Sequence, residues 1–535
     1  MKPGYFKGII GAIGLAAVFT VIALALPTIA IARGSNQIHD GVLANQRSNS
    51  FDAFTTASAT NTLSCREGLA GWEPYLSSGI DIRALGGGTY LDFGANPPGA
   101  QLSGMEYIQV IRFRQNKTAS GGYLPGYVIT PALTDDVGGL GWVIAHAPGS
   151  LWLVGNEPDR GPDTPGGPAQ DDTYPAVYAQ IYHDVYPFIK QRDPSARVAV
   201  AGLVEVTPGR LQYLQIVWDT YISLYGTTMP VDVWNMHIYI LPETVGIANV
   251  ALGTDPALAF KYAITHSAGV SNVYTYGDHD NLSVFDSQVR RMRQWMKDHG
   301  QQDKPLLLSE FGLLYDENVT DEFGKNFTVP RATTFLTKSF TYLATTTDTA
   351  LGMPADGNRL VQQWVWFSTH SGVGHISNLV TDTVPLTFTT VGSMFRDNVA
   401  VRTLHPNLQA LSAGSFAPLL GASESSVTAT LSVQFVNNGN QRITVPLTVT
   451  FYSDAALTQI INSTVITDGV VGCAGRRMTV SVIWPDLGPG SHPFWVKLDA
   501  PDTIAETNET DNVASSQTFV GTHRVYLPLV AKNSY

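Results

Sequence analysis

Residues 151–159 read LWLVGNEPD, a run of apolar side chains followed at once by Asn156, Glu157 and Pro158. Such an uninterrupted apolar run is typical of a strand that is buried on both faces, as in a parallel sheet. Pro158 cannot continue the strand, so we expect the chain to turn directly after Glu157. Residues 306–312 repeat the arrangement as LLLSEFG, in which Glu310 ends the apolar run. The sequence therefore predicts two glutamates at the ends of two buried strands.

Strand-like and helical patterns alternate around these two motifs, from about residue 61 to residue 410. The alternation predicts an α/β domain with a parallel sheet, and its length favours a (β/α)8 TIM barrel over residues 61–410. A doubly wound sheet is the second choice, but no glycine-rich phosphate motif supports it. The predicted strands are Gly88–Phe93, Tyr107–Phe113, Leu151–Gly155, Arg197–Leu203, Val231–Tyr239, Pro305–Ser309 and Val361–Phe367, and the predicted helices are Tyr174–Arg192, Leu211–Tyr225 and Ser287–Gly300.

The number of strands before Glu157 stays open, because only a short loop separates the first two predicted strands.

From about residue 420 the helical pattern disappears and short alternating strands are separated by asparagine and glycine turns. This texture predicts a β-sandwich over residues 420–522 and a short apolar tail at residues 523–535. The predicted strands of the sandwich are Leu431–Asn437, Ile443–Tyr452, Arg477–Trp484 and His492–Leu498.

The first 32 residues indicate the compartment. Lys2 and Lys7 precede an uncharged stretch from Gly8 to Ala32, which ends in the small-x-small pattern of residues 30–32. The stretch is long for a cleaved signal peptide and long enough for a membrane anchor, so both interpretations of residues 1–32 remain open. Either one makes the protein secreted or extracellular, with a linker at residues 33–60 and attachment to the membrane or cell surface in the second case.

Composition limits the partners. The formal net charge is −12 and charged residues make up only 14% of the 535 residues, which argues against a nucleic-acid partner. The two cysteines, Cys65 and Cys473, exclude a disulfide framework and leave one bridge between the two predicted domains as an open alternative. The 12 histidines are scattered without a metal-binding spacing, so we expect no metal and no cofactor. We expect a monomer.

Two carboxylates at strand ends of one barrel suit the cleavage of a glycosidic bond. One carboxylic acid protonates the leaving oxygen, and the other carboxylate attacks the sugar carbon or activates water. Their surroundings must hold their pKa values apart. A separation of about 5–5.5 Å would give retention through a covalent intermediate, and one above about 6.5 Å would give inversion. Asn156 is placed to hold a sugar hydroxyl beside the acid.

The two motifs resemble those of the large clan of retaining barrel glycosidases that includes β-glucanases, mannanases and β-xylosidases. The resemblance covers roughly residues 80–370 and implies that Glu157, after strand 4, is the acid/base and Glu310, after strand 7, the nucleophile. By the same resemblance, His237 and Tyr239 on strand 6 support the nucleophile. Trp364 or Trp366 on strand 8, with Trp366 preferred, forms the floor of the sugar site. Arg112 or Arg114, with Arg112 preferred, contacts the nucleophile from the end of strand 2.

The segment Glu506–Asn512 resembles the closing strand region of adhesion-type Ig-like modules, which implies that the C-terminal sandwich is Ig-like. The sequence thus predicts a glycoside hydrolase that acts on an extracellular polysaccharide or oligosaccharide. The alternative is a catalytically inactive barrel that serves as a carbohydrate-binding or adhesion protein. The presence of both Glu157 and Glu310 disfavours that alternative.

Overall fold

The computed structural model describes residues 63–71, 80–98, 102–161, 170–243, 250–258, 264–265, 271–272, 274–371, 375–381, 387–421 and 423–522. The predicted N-terminal segment, the linker and the C-terminal tail lie outside these described residues. None of the helices within these ranges combines the length and the apolar character that a membrane span requires.

The part of the chain up to Ala400 is mixed α/β. Its helices are α1 Leu140–His146, α2 Pro175–Arg192, α3 Pro208–Tyr225, α4 Leu282–Asp298, α5 Val329–Thr345 and α6 Thr390–Ala400. Its strands are β1 Ser64–Ala70, β2 Gly87–Leu91, β3 Glu106–Tyr107, β4 Gln109–Lys117, β5 Tyr123–Thr130, β6 Leu151–Asn156, β7 Arg197–Gly202, β8 Trp234–Ile238, β9 Ile264–Thr265, β10 Ser271–Asn272, β11 Leu306–Phe311 and β12 Gln363–Phe367.

Most of these strands form two sheets. The first has the order β3-β2-β1-β12-β11-β8, and all of its pairs are parallel. The second has the order β5-β4-β6-β7, in which β4, β6 and β7 are parallel and β5 is an antiparallel edge strand. Main-chain hydrogen bonds join the two sheets at both edges, from Asp232 to the Val198 carbonyl (3.0 Å) and from Ile108 to the Tyr90 carbonyl (2.8 Å).

One cluster of buried apolar side chains draws on both sheets. It comprises Ala70, Leu91, Ile108, Val110, Leu151, Leu153, Ala199, Val233, Leu307 and Val365. Leu151 and Leu153 are two residues apart on β6, so their side chains point to the same face. The opposite face of the strand carries Trp152 and Val154, which pack in the larger cluster together with the helices. Burial on both faces explains why the strand reads as a continuous apolar run.

The predicted helices and strands before residue 410 have counterparts in the structure, but the helices α1, α5 and α6 and the strands β1, β5, β9 and β10 were not predicted. β1 was missed because Arg66 and Glu67 interrupt its apolar residues. The hairpin partner β5 was missed because one of its residues is Pro125 and most of its side chains are at least partly exposed. With β1 included, and with the two-residue β3 counted together with β4, β4 is the third parallel strand in chain order and Glu157 follows the fourth.

The remaining strands form a sandwich of two antiparallel sheets around one shared apolar core. One sheet has the order β13-β14-β17 and the other β16-β15-β18-β19. Its first strand pairs with β14 and begins at residue 408, before the predicted boundary at residue 420. The strands are β13 Leu408–Phe416, β14 Val427–Asn437, β15 Leu447–Tyr452, β16 Ile460–Ile466, β17 Met478–Leu487, β18 Gly490–Leu498 and β19 Val513–Val520.

A disulfide joins the α/β part to the sandwich, in keeping with the alternative that the sequence left open. Cys65 on β1 is bonded to Cys473, with 6.1 Å between their Cα atoms. Around it, Arg66 binds the carboxylate of Asp356 (2.8 Å) and the main-chain oxygen of Asn438 (2.9 Å). Both cysteines and their neighbours lie near the N-terminal ends of the parallel strands. The junction is therefore held by a covalent bond and by buried charge-assisted hydrogen bonds.

We expect Cys473→Ser to lower the melting temperature, because the bridge spans 408 residues and restricts the unfolded chain. Loss of a native disulfide commonly destabilises a protein by about 2–5 kcal/mol. Differential scanning calorimetry of wild type, Cys65→Ser and the double variant would measure the effect. All three variants should melt alike, and a reductant should shift the wild type only. Equal melting of reduced and oxidised wild type would contradict this expectation.

Candidate active site

Glu157 is presented by an unusual turn at the end of β6. Gly155 has a φ of 96°, and a Cβ there would lie 2.3 Å from the ring of Phe113, so only glycine fits. Glu157 itself has a φ of 47°, in the left-handed region that non-glycine residues seldom adopt. Its main-chain N–H donates to the carbonyl oxygen of Gly202 (3.0 Å) at the end of β7. This bond fixes the carboxylate between two neighbouring strand ends, where it is buried.

His237 on β8 lies between the two glutamates. Its Nδ1 is 3.0 Å from Oε1 of Glu157, and its Nε2 is 3.0 Å from the hydroxyl of Ser309 and 3.5 Å from Oε1 of Glu310. The imidazole is completely buried. It packs directly on Gly202, where an added Cβ would lie 2.3 Å from the ring. The glycine thus makes room for the histidine that bridges the two carboxylates.

Glu310 lies near the end of β11, beside β8. The hydroxyl of Tyr239 donates a hydrogen bond of 2.9 Å to Oε2 of Glu310. One oxygen of Glu157, one oxygen of Glu310 and one nitrogen of His237 all lie within 4.8 Å of one another. Both nitrogens of His237 already have protein partners, Glu157 and Ser309. The arrangement can therefore move protons between the carboxylates through groups that are already in contact.

The electrostatics of the three groups are coupled. Burial raises the pKa of Glu310 to about 7, against the attraction of His237 and with the repulsion of Glu157. Burial also favours the protonated form of Glu157, but the hydrogen bond and charge of His237, together with the charges of Arg160 and Arg210, place the pKa of Glu157 below its ordinary value. Burial opposes the charged form of His237, yet the charge of Glu310 and the hydrogen bond and charge of Glu157 raise the pKa of the imidazole. In the free protein a proton on this cluster is therefore held by Glu310 or His237 before Glu157.

Arg112 and Asn156 lie on adjacent strands and share the carboxylate of Asp171. The Nε of Arg112 lies 2.8 Å and 2.9 Å from the two oxygens of Asp171, which also accepts the main-chain N–H of Asn156 (2.7 Å). Burial raises the pKa of Asp171 to about 6, while the charge of Arg112 opposes the shift. Arg112 is on β4, which is the third parallel strand when β3 is counted together with it, whereas the resemblance implied the second. Its charge lowers the pKa of Glu310, so it acts on that carboxylate through space.

The position of Trp366 differs from the prediction. Its ring is completely buried against Phe311, Phe335 and Phe340, and its indole N–H donates to the main-chain oxygen of Ser377 (2.9 Å). Trp364, two residues earlier on β12, packs on Phe340 as well. Residues two apart on a strand point to the same face, so both tryptophans lie on the helix side and neither lines the site.

The aromatic side chain on the site side of β12 is Phe367. Its ring centroid lies 6.2 Å from that of Tyr239, in an edge-to-face arrangement. The same ring is also 6.2 Å from His375 and 6.2 Å from Phe93. Alternation along β12 would have identified Phe367, since it is one residue from Trp366 and therefore on the other face.

A second group of buried charges adjoins the site and was not predicted. Asp159, two residues after Glu157, forms an ion pair with Arg210 on α3. The Nε of Arg210 also lies 2.7 Å from Glu243, and all three side chains are nearly inaccessible to solvent. Burial raises the pKa of nearby Glu205 well above its ordinary value, and the charge of Glu243 adds to the shift. The helix α3 thus anchors the turn that follows Glu157. The sequence signal that could have found this group is an acidic residue soon after a buried strand, Asp159 after β6 and Glu205 after β7.

Glu310→Gln tests the raised pKa. A carboxylate whose pKa rises from 4.5 in the unfolded chain to about 7 in the folded protein stabilises the fold below pH 4.5 and loses that contribution as the pH rises through 7. We therefore expect Glu310→Gln to melt above wild type at pH 8 and the difference to shrink towards pH 4. Circular dichroism melts over this pH range measure it, with Glu424→Gln, an exposed glutamate, as control. A difference that does not vary with pH would contradict the raised pKa.

Gly202→Ala tests the close approach of His237. The new methyl group would overlap the imidazole, and overpacking of this kind commonly destabilises a protein by about 1–3 kcal/mol. Chemical denaturation should show that loss, and NMR titration should show a changed pKa of His237. Gly414→Ala is the matched control on a strand, because its Cβ would meet only the Ser432 hydroxyl at 3.5 Å. Equal free energies of unfolding for the two variants would rule out a special role for Gly202.

No family model and no curated protein matches the chain. Among solved structures, it resembles an oligosaccharide-binding protein of glycoside hydrolase family 128 (subgroup VII) from Trichoderma gamsii, with TM-score 0.34 and 11% identity over 64% of this chain and 96% of that one. It also resembles a family 51 α-L-arabinofuranosidase from Bifidobacterium longum, with TM-score 0.37 and 12% identity over 79% and 96%. A CARDB domain from Pyrococcus furiosus matches with TM-score 0.17 and 16% identity over 23% and 100%. These values are too low to place the chain in a family.

Proposed function

We propose that this protein is a retaining glycoside hydrolase in which Glu157 is the acid/base and Glu310 the nucleophile. The observation that carries the proposal is the position of the two carboxylates, which lie at the C-terminal ends of the parallel strands β6 and β11 and have oxygens within 4.8 Å of each other. Retaining glycosidases hold their two carboxyl groups about 5–5.5 Å apart, because one of them must reach the anomeric carbon.

We further propose that the two parallel sheets form one (β/α)8 barrel. The hydrogen bonds that join their edges and the apolar cluster drawn from both sheets support it. In that barrel the strands in chain order are β1, β2, β3 with β4, β6, β7, β8, β11 and β12. Glu157 then follows the fourth strand and Glu310 ends the seventh. Active sites of such barrels lie at the C-terminal ends of the strands, where both glutamates are.

The reaction proceeds in two steps. Glu310 attacks the anomeric carbon while Glu157 gives its proton to the departing glycosidic oxygen, which leaves a glycosyl ester on Glu310. Glu157 then takes a proton from water, the water oxygen attacks the same carbon, and the ester bond to Glu310 breaks. The products are two sugar fragments, and both carboxyl groups return to their starting protonation states. The hydrogen bond from Tyr239 keeps Glu310 oriented as a nucleophile.

The order of the pKa values in the free protein is the reverse of these roles, because Glu310 has the higher one. Substrate binding must therefore shift the proton to Glu157 before the first step. His237 contacts both carboxylates and provides the path. The positive charge that develops on the sugar in the transition state favours the ionised form of the nearby Glu310.

The substrate we propose is an extracellular polysaccharide or oligosaccharide. The Cys65–Cys473 bridge supports an extracellular location, since disulfides persist mainly in oxidising compartments. Asn156 and Arg112, which share Asp171, are the polar groups that we expect to contact sugar hydroxyls.

Residues 1–32 would serve either as a signal peptide or as the attachment to a membrane. We propose that the protein acts as a monomer, with the sandwich as an Ig-like module.

Chemical rescue tests the two roles separately. On an aryl glycoside whose leaving group needs no acid, azide should restore turnover of Glu157→Ala and give a glycosyl azide of retained configuration. Azide should rescue Glu310→Ala with inverted configuration, because it then replaces the nucleophile. Without azide we expect losses of about 10²–10⁴-fold on natural linkages for Glu157→Gln, the usual range for a general acid/base. Glu424→Gln, an exposed glutamate in the sandwich, is the control.

Three outcomes would contradict the proposal. Inverted products from wild type would exclude Glu310 as a nucleophile. Azide products of swapped configuration would exchange the two roles. Binding of oligosaccharides without turnover by wild type, over a broad panel of aryl glycosides, would favour a catalytically inactive carbohydrate-binding protein.

A further inference from the structure

A cleft of about 290 Å³ lies between the α/β part and the sandwich, at the end of the strands opposite to Glu157 and Glu310. One wall is formed by the residues that precede and begin β7 and β11, including Arg197 and Lys304. The other wall is the segment Ala474–Arg477, which leads into β17 of the sandwich. The cleft is therefore built by both parts of the chain and is separate from the candidate active site.

The lining of the cleft is rich in cations. Two of them are paired with acidic residues of the cleft, Lys190 with Asp232 (3.2 Å) and Arg477 with Asp303 (3.3 Å). The cationic residues that line it are Lys190, Arg197, Lys304, Arg476 and Arg477, against the acidic residues Asp232 and Asp303. This local excess of positive charge contrasts with a chain whose formal net charge is −12.

Three of the cations have unused hydrogen-bonding capacity. Within the described ranges, neither the ammonium of Lys304 nor the guanidinium of Arg476 makes a hydrogen bond or an ion pair with another residue. Arg197 is almost completely buried, and it binds Glu106 and the main-chain oxygen of Gly475 (3.3 Å). Its Nε has no hydrogen-bond partner among the described residues. A buried donor without a partner is unfavourable, so a ligand that accepts from it would be stabilised.

The cations also repel one another. Burial lowers the pKa of Arg197 to about 10, and the neighbouring charges of Arg476 and Arg442 add to the shift. An anion in the cleft would counteract this repulsion, because it would attract each of the guanidinium groups that now repel one another. Planar guanidinium groups bind oxyanions through paired hydrogen bonds, which are among the stronger hydrogen bonds in proteins.

We propose that this cleft binds an oxyanion group, sulfate, phosphate or carboxylate, on a molecule no larger than about one sugar unit. Arg197, Lys304 and Arg476 are the residues that bind it. The volume of the cleft is at the small end of ligand pockets, which are usually about 300–1,000 Å³. The ligand would contact Arg197 from the parallel sheet and Arg476 from the sandwich together. Binding would therefore stabilise the junction between the two parts of the chain, independently of any catalytic activity.

Thermal unfolding and calorimetric titration of the full chain test this proposal. The probes are sodium sulfate, sodium phosphate and sodium glucuronate, with glucose as the uncharged control and sodium chloride at matched ionic strength. We expect the three oxyanions to raise the melting temperature with saturation, as a ligand that binds only the folded state does, and chloride and glucose to have no such effect. Tighter binding of sulfate or phosphate would identify a free inorganic ion as the ligand, and tighter binding of glucuronate would identify an acidic sugar.

Substitutions of cleft residues test whether the oxyanion binds in this cleft. Arg476→Gln and Lys304→Gln, measured separately so that one folding failure does not decide the result, should each weaken oxyanion binding by about tenfold or more, as expected when one charge-assisted hydrogen bond is lost. Arg396→Gln on α6 removes the same charge outside the cleft, from a side chain that pairs with Asp397, and should leave binding unchanged. An equal response to chloride, or unchanged oxyanion binding in both cleft variants, would overturn the proposal.

Discussion

The contact of His237 with both glutamates is the interaction on which the candidate site depends. An imidazole at 3.0 Å from Glu157 and 3.5 Å from Glu310 couples the protonation of two buried carboxylates that would otherwise repel each other. Two glycines make this possible. Gly202 leaves space for the ring, and Gly155 allows the turn that brings Glu157 to it. The site is thus positioned by four strands, β6, β7, β8 and β11.

The local pattern of the sequence was enough to predict that the two glutamates lie at the ends of two buried strands. A strand buried on both faces leaves a continuous apolar run, and a charged residue at its end is conspicuous in such a run. The partners His237 and Tyr239 were named through the resemblance of their motif, and the structure places both beside the glutamates. What could not be predicted are the contacts between distant parts of the chain, such as Asp171 with Arg112 or Arg210 with Asp159 and Glu243, because no local pattern encodes them.

The incorrect expectations have definite physical causes. Trp364 and Trp366 were treated as alternatives, although side chains two apart on a strand share a face, and both pack on the helices. The strand count stayed open because only a short loop separates the first two predicted strands. β1 was missed because it carries two buried charges: Arg66, which reaches the main-chain oxygen of Asn438 at the junction with the sandwich, and Glu67, which pairs with Arg402. A strand whose polar side chains serve such a junction does not show the apolar pattern of its neighbours.

The Cys65–Cys473 bridge lies at the N-terminal ends of the strands, whereas Glu157 and Glu310 lie at the C-terminal ends. The length of the strands therefore separates the bridge from the two carboxylates. Loops at the C-terminal ends can lengthen, shorten or change sequence without disturbing the covalent junction, and the sandwich can diverge without moving the carboxylates. The loops around the candidate site and the attachment to a second module are therefore free to evolve independently in this architecture.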